Sequence, residues 1–507
     1  MEEFVGWLNG ILWGPVTIYG ILIVGLLFSA LTRFVQVRQI REMFSLMFKG
    51  EKSEAGVSSF QALSIALSGR IGTGNIVGTA SAIAFGGPGA IFWMWITGMI
   101  GASSAFVEST LAQIYKEKKN GQYRGGPAFY IEKGTGIRAL GVIFAIAAIV
   151  AMAVLMPGVQ SNAISKAMNN AFGVDPTIIG IITVVILGII IIGGVKRIAN
   201  AAEVIVPFMA IAYILMAVLI IVMNIQEVPA VFALIFKSAF NLDATFGGMI
   251  GAAVAWGVKR ALYANEAGQG TGAHPAAAAE VSHPVKQGLV QTASIYLDTM
   301  GICTATALMI LFTGQYNVQV GSSDGPLVVE NVQGATYSDF TQLAVGSAFT
   351  SFDNFGSAFV AIALFFFAFT TLMAYYYIAE TNVSYLFTGT KEKIATGLLK
   401  IVILAAILFG TLRTSDLAWA LGDVGLGLMV WVNIIAMLFI CKPTIIALKD
   451  YEQQKKQGLD PEFDPEKLGI KNADYWVERK KERASTARVK NSVSKKVNKQ
   501  VQELIEK

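Results

Sequence analysis

The sequence predicts an all-α polytopic membrane protein. Of its 507 residues, 54% are hydrophobic and only 14% are charged, where an average soluble domain carries about a quarter charged residues. Mean hydropathy is +0.58. Apolar runs of membrane-spanning length also recur along the chain, since a bilayer core about 30 Å thick needs roughly 20 apolar residues of helix. Qualifying runs lie near 11–32, 58–84, 89–115, 138–165, 177–195, 199–223, 246–267, 287–313, 345–378, 395–411 and 416–440, which makes eleven. Disorder, coiled coil and nucleic-acid binding are excluded, because each needs far more charge.

The first run follows the acidic start Met1-Glu2-Glu3 and is not followed by a small-residue cleavage site. It reads as a retained helix rather than a secretory signal. Residues 34–48 mix Arg with Phe, Met and Ile and read as an amphipathic helix in the inner interface. Together these make a leading unit, 1–57.

The second run reads Ser68-Gly69-Arg70-Ile71-Gly72-Thr73-Gly74-Asn75-Ile76-Val77-Gly78-Thr79. Four glycines in ten residues make a poor continuous helix. In hydrocarbon, freed backbone groups need a reason. Close helix packing through Gly74 and Gly78 is one reading. It leaves Arg70 and Asn75 unexplained, since these cost roughly 2–3 kcal/mol or more at mid-depth unless they face a polar interior. A broken, site-forming helix accounts for both. A dinucleotide loop does not, because after Gly72 and Gly74 the next glycine comes one residue too late and no strand precedes them.

The third to sixth runs complete a first group, 58–223, with a Pro157-Gly158 kink in the fourth. In the seventh run, Gly247, Gly248 and Gly251 lead to Ala255-Trp256-Gly257, followed by a polar, Gly-punctuated segment through Gly272. An apolar half-helix is expected to end near Trp256. The eighth to eleventh runs complete a second group, 246–441. Phe365 to Phe367 and Tyr375 to Tyr377 in the ninth read as packing or interfacial aromatics. Residues 442–507 form a tail with 16 Lys/Arg and 11 Asp/Glu, broken early by Pro461 and Pro465. A solvated or membrane-surface tail is expected.

The other 441 residues hold 23 basic and 23 acidic side chains, so the net charge of +5 belongs to the tail. With the N-terminus outside, the inward segments carry Arg33, Arg38, Arg41, Lys49, Lys52, Lys116, Lys118, Lys119, Arg124, Lys133, Arg138, Lys196, Arg197, Lys259, Arg260, Lys286, Lys391 and Lys393. The outward ones carry only Lys166, Lys237 and Arg413. That asymmetry puts the tail in the cytoplasm. Cys303 and Cys441 imply no disulfide framework, and His274 and His283 match no zinc spacing.

Leaving out the leading helix, the two groups of five each open with an interrupted helix. Five is odd, so the groups run in opposite senses, the inverted-repeat plan with a midplane site. A half-helix N-terminus suits a carboxylate, and opened carbonyls suit an ammonium or small cation. A zwitterionic amino acid uses both. Amides around Thr73 and Gly74 would take the carboxylate, and carbonyls near Trp256 and Gly257 the amine.

Gly86-Gly87-Pro88-Gly89-Ala90-Ile91-Phe92-Trp93-Met94-Trp95-Ile96-Thr97-Gly98-Met99-Ile100-Gly101 resembles the signature of the alanine/glycine:cation symporter family. Gly72 to Gly78 and Asn265-Glu266-Ala267-Gly268 with Gly270 are similar to further blocks of that family, and the likeness spans roughly residues 10–440. The resemblance implies a bacterial or archaeal inner-membrane protein of the LeuT-type five-plus-five fold with one extra leading helix. It implies sodium-coupled uptake of alanine or glycine, with proton coupling as the alternative.

By the same resemblance, Gly72, Thr73, Gly74 and Asn75 lie in the unwound part of the first core helix. Thr370 and Thr371 would complete a sodium site with carbonyls near Ser68 and Ile71. Read from the residues alone, the two threonines equally suit hydrogen bonds to their own helix. Gln160, after the Pro157 kink, suits a substrate contact or an interhelical hydrogen bond. Trp256 suits a pocket cap or plain packing. Asn265 and Glu266 are expected toward the inner end of their span, where Glu266 suits a structural ion pair or inner gate with Arg70 or Arg260, outside the substrate site. A channel would need rings of charge or a symmetric filter. An intramembrane enzyme would need a catalytic constellation, and Asp298 and Asp353 stand isolated in sequence.

Overall fold

The computed structural model describes residues 2–48, 53, 55–240, 242, 245–246, 248–483 and 485. Lys49, Lys52, Gly247 and tail residues 486–507 lie outside the described residues. The chain is mostly helical, and eight helices are long and apolar enough to cross a membrane.

A leading span is built from α1 (Glu2–Leu12) and α2 (Pro15–Leu31), with the short amphipathic α3 (Ile40–Met47) after it. The second apolar run is two helices, α4 (Ser59–Arg70) and α5 (Thr79–Gly86), joined through a π-helical turn at Gly74–Gly78. Ser58 starts α4 with a capping box, accepting from the Gln61 amide at 3.1 Å while Gln61 Oε1 accepts from the Ser58 amide at 3.2 Å. There follow α6 (Gly89–Ile114), α7 (Arg138–Phe172, kinked at Pro157), α8 (Pro176–Ile192) and α9 (Gly194–Met223).

The second half opens with α10 (Ile250–Asn265) and the short α11 (Ala273–Ala278). It continues through α12 (Pro284–Thr313), α13 (Phe355–Leu386), α14 (Gly389–Thr411) and α15 (Ser415–Ile440). The ninth run therefore starts ten residues later than 345, because Phe340–Ala348 forms a separate short helix. After α15 comes α16 (Lys442–Lys456). Two short antiparallel hairpins were not expected from the sequence: β1 (Glu117–Lys119) with β2 (Gln122–Arg124), and β3 (Asn317–Gln319) with β4 (Leu327–Glu330).

Packing puts the interrupted helices at the centre. Helix α6 lies along both α10 and α12, α4 packs on α9 and α13, and α7 packs on α13 and α14. Tyr375, Tyr376 and Tyr377 are all buried inside this bundle, so they pack between helices rather than facing lipid. Small residues set the closest approaches. A Cβ on Gly257 would meet the Ala90 carbonyl and Trp93 Cβ at 2.6 Å, so that glycine lets α10 lie against α6.

The sequence predicts a solvated or membrane-surface tail, and its described part is instead packed on the rest of the chain. Beyond α16 it folds back over the α11–α12 connection, with Phe463, Tyr475 and Trp476 buried, as is Tyr451 within α16. Phe463 N–H donates to the Ser282 carbonyl at 3.0 Å and Ser282 Oγ to the Pro461 carbonyl at 2.8 Å. Arg479 pairs with Glu280 at 2.8 Å and Trp476 Nε1 donates to the Gln113 carbonyl at 2.9 Å. The aromatic residues of 463–476 find apolar partners there, which a solvated tail would leave exposed.

Candidate functional site between two interrupted helices

Helix α4 stops at Arg70, and Ile71 takes a non-helical conformation with ψ of 88°. The amides freed there are not idle. Thr73 N–H donates to Gln160 Oε1 at 3.1 Å, the Thr73 hydroxyl to the same oxygen at 2.7 Å, and Gly72 N–H to Asn75 Oδ1 at 2.9 Å. Gln160 Nε2 reaches the Tyr375 hydroxyl at 3.4 Å. The break thus offers a buried polar surface of amides and one side-chain carboxamide.

Thr371 stands against it. Its hydroxyl donates to the Phe367 carbonyl at 3.0 Å and lies 3.5 Å from the Ile71 carbonyl. A Cβ on Gly72 would collide with that hydroxyl. Thr370 points away, to the Phe367 carbonyl and Met209 Sδ, and the Ser68 hydroxyl bonds its own turn at Ile65. Of the two paired threonines, only Thr371 faces the break. Hydroxyl and freed carbonyl are neutral oxygens, a donor set that fits a hard monovalent cation.

The second interruption is displaced from where the sequence places it. Helix α10 runs on through Trp256 and Gly257 to Asn265 and ends where Glu266 adopts φ of +54°, with Gly268 at +79° and Gly270 at +84°. Trp256 and Gly257 are therefore not at a break, because Gly257 serves helix packing and the positive-φ residues come two turns later. Trp256 packs on Phe85 with the rings tilted and their centroids 4.8 Å apart, and donates to the Gly321 carbonyl at 2.8 Å. Lys259 and Arg260 likewise sit inside α10 rather than in an inner loop. Both pair with Asp423 Oδ2 of α15, at 2.6 and 3.0 Å, which offsets the cost of burying them.

The turn of the second break is held from outside. Glu108 Oε2 accepts from Gly270 N–H at 2.9 Å and from Asn433 Nδ2 at 3.1 Å, and Asn433 also donates to the Gly268 carbonyl at 2.9 Å. Glu266 is buried and, among the described residues, makes no ion pair within 4 Å with Arg70 or Arg260. Arg70 instead donates to the Asn265 carbonyl at 2.7 Å, to Gln291 Oε1 at 3.0 Å and to Ser294.

The two breaks meet. Gly74 packs on α10, where an added Cβ would lie 3.0 Å from Tyr263 and 3.1 Å from the Ala264 Cα. The glycine spacing thus serves packing and interruption together. Sequence reasoning passed over Asp298, Glu108 and Tyr375. The first two carried a usable signal, since an ionisable residue inside an apolar run marks a functional position by default.

Above α5 and Trp256 a cavity of about 730 Å³ opens between α7, the β3–β4 hairpin and the α14–α15 turn, lined by Phe85, Asn162, Lys166, Tyr337, Arg413 and Asp416. Arg70 and its partners Asn265, Gln291 and Ser294 are all buried.

Comparison with known proteins matches this chain to carrier proteins. YrbD of Bacillus subtilis (strain 168) is 64% identical over 477 residues, 94% of this chain and 98% of that protein. The sodium/proton-dependent alanine carrier protein of Bacillus sp. (strain PS3) is 57% identical over 438 residues, 86% of this chain and 97% of its own. The amino-acid carrier protein AlsT of Bacillus subtilis (strain 168) is 39% identical over 467 residues, 92% and 95% of the two chains. The family model for the sodium:alanine symporter family matches residues 1–465, and the chain belongs to that family.

Proposed function

We propose that this chain imports a small neutral amino acid, alanine or glycine, coupled to sodium, by alternating access around the two interrupted helices. The observation that carries the reading is the pairing of breaks: freed amides at Gly72–Gly74 facing the carbonyl end of α10, with Thr371 and the Ile71 carbonyl alongside. The helix start after the first break carries positive partial charge and the end of α10 negative. A zwitterion between them finds both signs without a fixed charge.

In this reading Gly72, Thr73, Gly74, Asn75 and Gln160 hold the substrate, and Thr371 with Ile71 holds the cation. Eleven membrane helices are counted as the eight long ones, the shorter α8 and the two interrupted spans. The leading span (1–57) precedes two oppositely directed groups of five (58–223 and 246–441), the LeuT-type plan, in a cell (inner) membrane with the tail (442–507) cytoplasmic. The inward and outward distribution of Lys and Arg supports that orientation even with Lys259 and Arg260 removed from the count. One sodium ion moving through 100 mV gains about 2.3 kcal/mol, and 1.4 kcal/mol already supports a tenfold gradient.

Proton coupling is the second reading. It is favoured by a buried carboxylate, Asp298, within hydrogen-bond reach of Asn75, and by the name of the relative from strain PS3. The deciding experiment is uptake of labelled alanine into proteoliposomes with sodium and proton gradients imposed separately. Sodium-driven accumulation is expected. Accumulation under the proton gradient alone would replace sodium by the proton, and none under either would overturn the assignment.

A further inference from the structure

Helix α12 does not run as a regular α-helix through its middle. Residues Tyr296–Cys303 wind as a π-helix, and such widened turns concentrate at functional positions. The widened turn carries Asp298, fully buried, and faces the π-helical turn of the first break.

Asp298 is the hub of a hydrogen-bond chain that runs from one break to the other. Its Oδ1 accepts from Asn75 Nδ2 at 2.5 Å, and Asn75 Oδ1 in turn accepts from Gly72 N–H at 2.9 Å. Its Oδ2 accepts from the Thr299 hydroxyl at 2.9 Å, and that hydroxyl accepts from Asn265 Nδ2 at 3.0 Å. Asn265 Oδ1 closes the chain on Ala267 N–H at 3.0 Å, inside the second break. Gly72 and Ala267 are the freed amides at the two ends.

The donor and acceptor roles along this chain are those an ionised carboxylate gives it. An ionised Asp298 only accepts, which leaves Asn75 Nδ2 and the Thr299 hydroxyl to donate toward it. A proton on Oδ1 would place donor against donor at the Asn75 arm, and a proton on Oδ2 would reverse the Thr299 bond, the hydroxyl then accepting and turning its own proton elsewhere. The charged groups facing Asp298 are Arg70 at the end of α4 and Glu266 at the end of α10. Cys303, one π-turn along on its own helix, lies 3.3 Å from Asn75 Nδ2. Both charged neighbours belong to the breaks themselves.

We propose that Asp298 is the positioning residue that ties the two interrupted helices into one moving unit, and that its ionisation sets the pH dependence of transport. The inference rests on the reading of the breaks as the substrate site. It assigns Asp298 no contact with substrate: it acts through Asn75 on one side and Thr299 on the other.

The test uses the full-length protein in proteoliposomes and reads alanine affinity, maximal sodium-driven uptake and its pH profile from 5.5 to 8.5. Asp298→Asn sets an amide against the Asn75 amide. Affinity is expected to stay within threefold of wild type, the maximal rate to fall at least tenfold, and the acid-side pH dependence to disappear. Asp298→Glu, which keeps an acceptor-only group, is expected to recover part of the rate with a displaced profile. Thr299→Val leaves the carboxylate in place but removes both its Oδ2 donor and the link to Asn265, so it lowers the rate and keeps an acid-side dependence that is displaced toward higher pH. It also serves as the test should Asp298→Asn not fold.

Wild-type rate and profile in Asp298→Asn, or an unchanged rate in Thr299→Val, would overturn the tie. Lost alanine binding in Asp298→Asn alone would overturn the positioning role by placing the residue in the site. Wild-type protein that binds no alanine would overturn the site reading, and the tie with it.

Discussion

Thr371 and Gln160 address the same break from opposite sides, and their chemistry separates what each should control. Thr371 contributes one neutral oxygen beside the Ile71 carbonyl, so in the proposed reading Thr371→Ala removes a cation ligand together with that hydroxyl's bond to the Phe367 carbonyl. A lost hydrogen-bond partner is worth about 1–1.5 kcal/mol, which predicts a roughly tenfold rise in the sodium concentration for half-maximal alanine uptake, with unchanged preference among amino acids. Gln160 holds Thr73 through both amide and hydroxyl. Gln160→Ala is expected to weaken alanine binding by tenfold or more while sodium activation keeps its midpoint, read by competition with labelled substrate. Gly72→Ala drives a methyl into Thr371 and Gln160 at once, and both binding functions should fail together in the same assays. At this scale the sequence spoke through composition: glycines, Arg70 and Asn75 in an apolar run pointed to the break. It marked Asp298 and Glu108 as ionisable residues in apolar runs but hid their partners, because Asn75 and Gly270 are 223 and 162 residues away.

Among the helices, the two interrupted ones differ in how they stop. Helix α4 ends on an extended residue and resumes through a π-turn, whereas α10 ends on a left-handed glutamate followed by glycines. The polar, glycine-rich segment after Trp256 was legible in the sequence, but its start was not. A glycine at a helix contact and a glycine at a helix end look alike until the neighbouring helix is known, and Gly257 belongs to the first kind. The second turn depends on imported partners, so Asn433→Leu leaves the Gly268 carbonyl without its donor and deprives Glu108 of another. Each buried group left unpaired costs about 1–3 kcal/mol. Thermal unfolding in detergent should therefore move down by a few degrees, with uptake lost more completely than stability.

Over the whole molecule, the tail is a structural member of the face that carries the α11–α12 connection. His283 joins it to α12: its Nδ1 accepts from Val285 N–H at 3.2 Å while Nε2 faces Asp450 at 3.3 Å, between the Tyr451 and Phe463 rings. Burial holds its pKa below the ordinary histidine value, with Asp450 pulling the other way. The folded chain thus prefers the neutral ring, and the unfolded chain takes up a proton first as pH falls. The docking is complete above about pH 6.5, the unfolded histidine value, and weakens below it. Limited proteolysis between Lys456 and Lys480 across pH 5 to 8 should show faster cleavage in acid. His283→Asn keeps a cap for Val285 but cannot titrate there, and should flatten that response. Charge counting located this tail, yet nothing in its Lys- and Glu-rich composition announced that Tyr475 and Trp476 would find a cleft beside Gln113.

The wide cavity above Trp256 has an electrical consequence. In the transport reading, water filling it would bring the potential of its own side of the membrane in as far as Phe85 and Asn162, and the voltage would drop over the remaining protein instead of the full hydrocarbon thickness. An ion descending from that cavity toward the break would then cross only part of the field. The rest of the roughly 2.3 kcal/mol that 100 mV supplies per charge is then delivered during the rearrangement that opens the opposite side, so voltage should govern the translocation rate and not apparent sodium affinity alone.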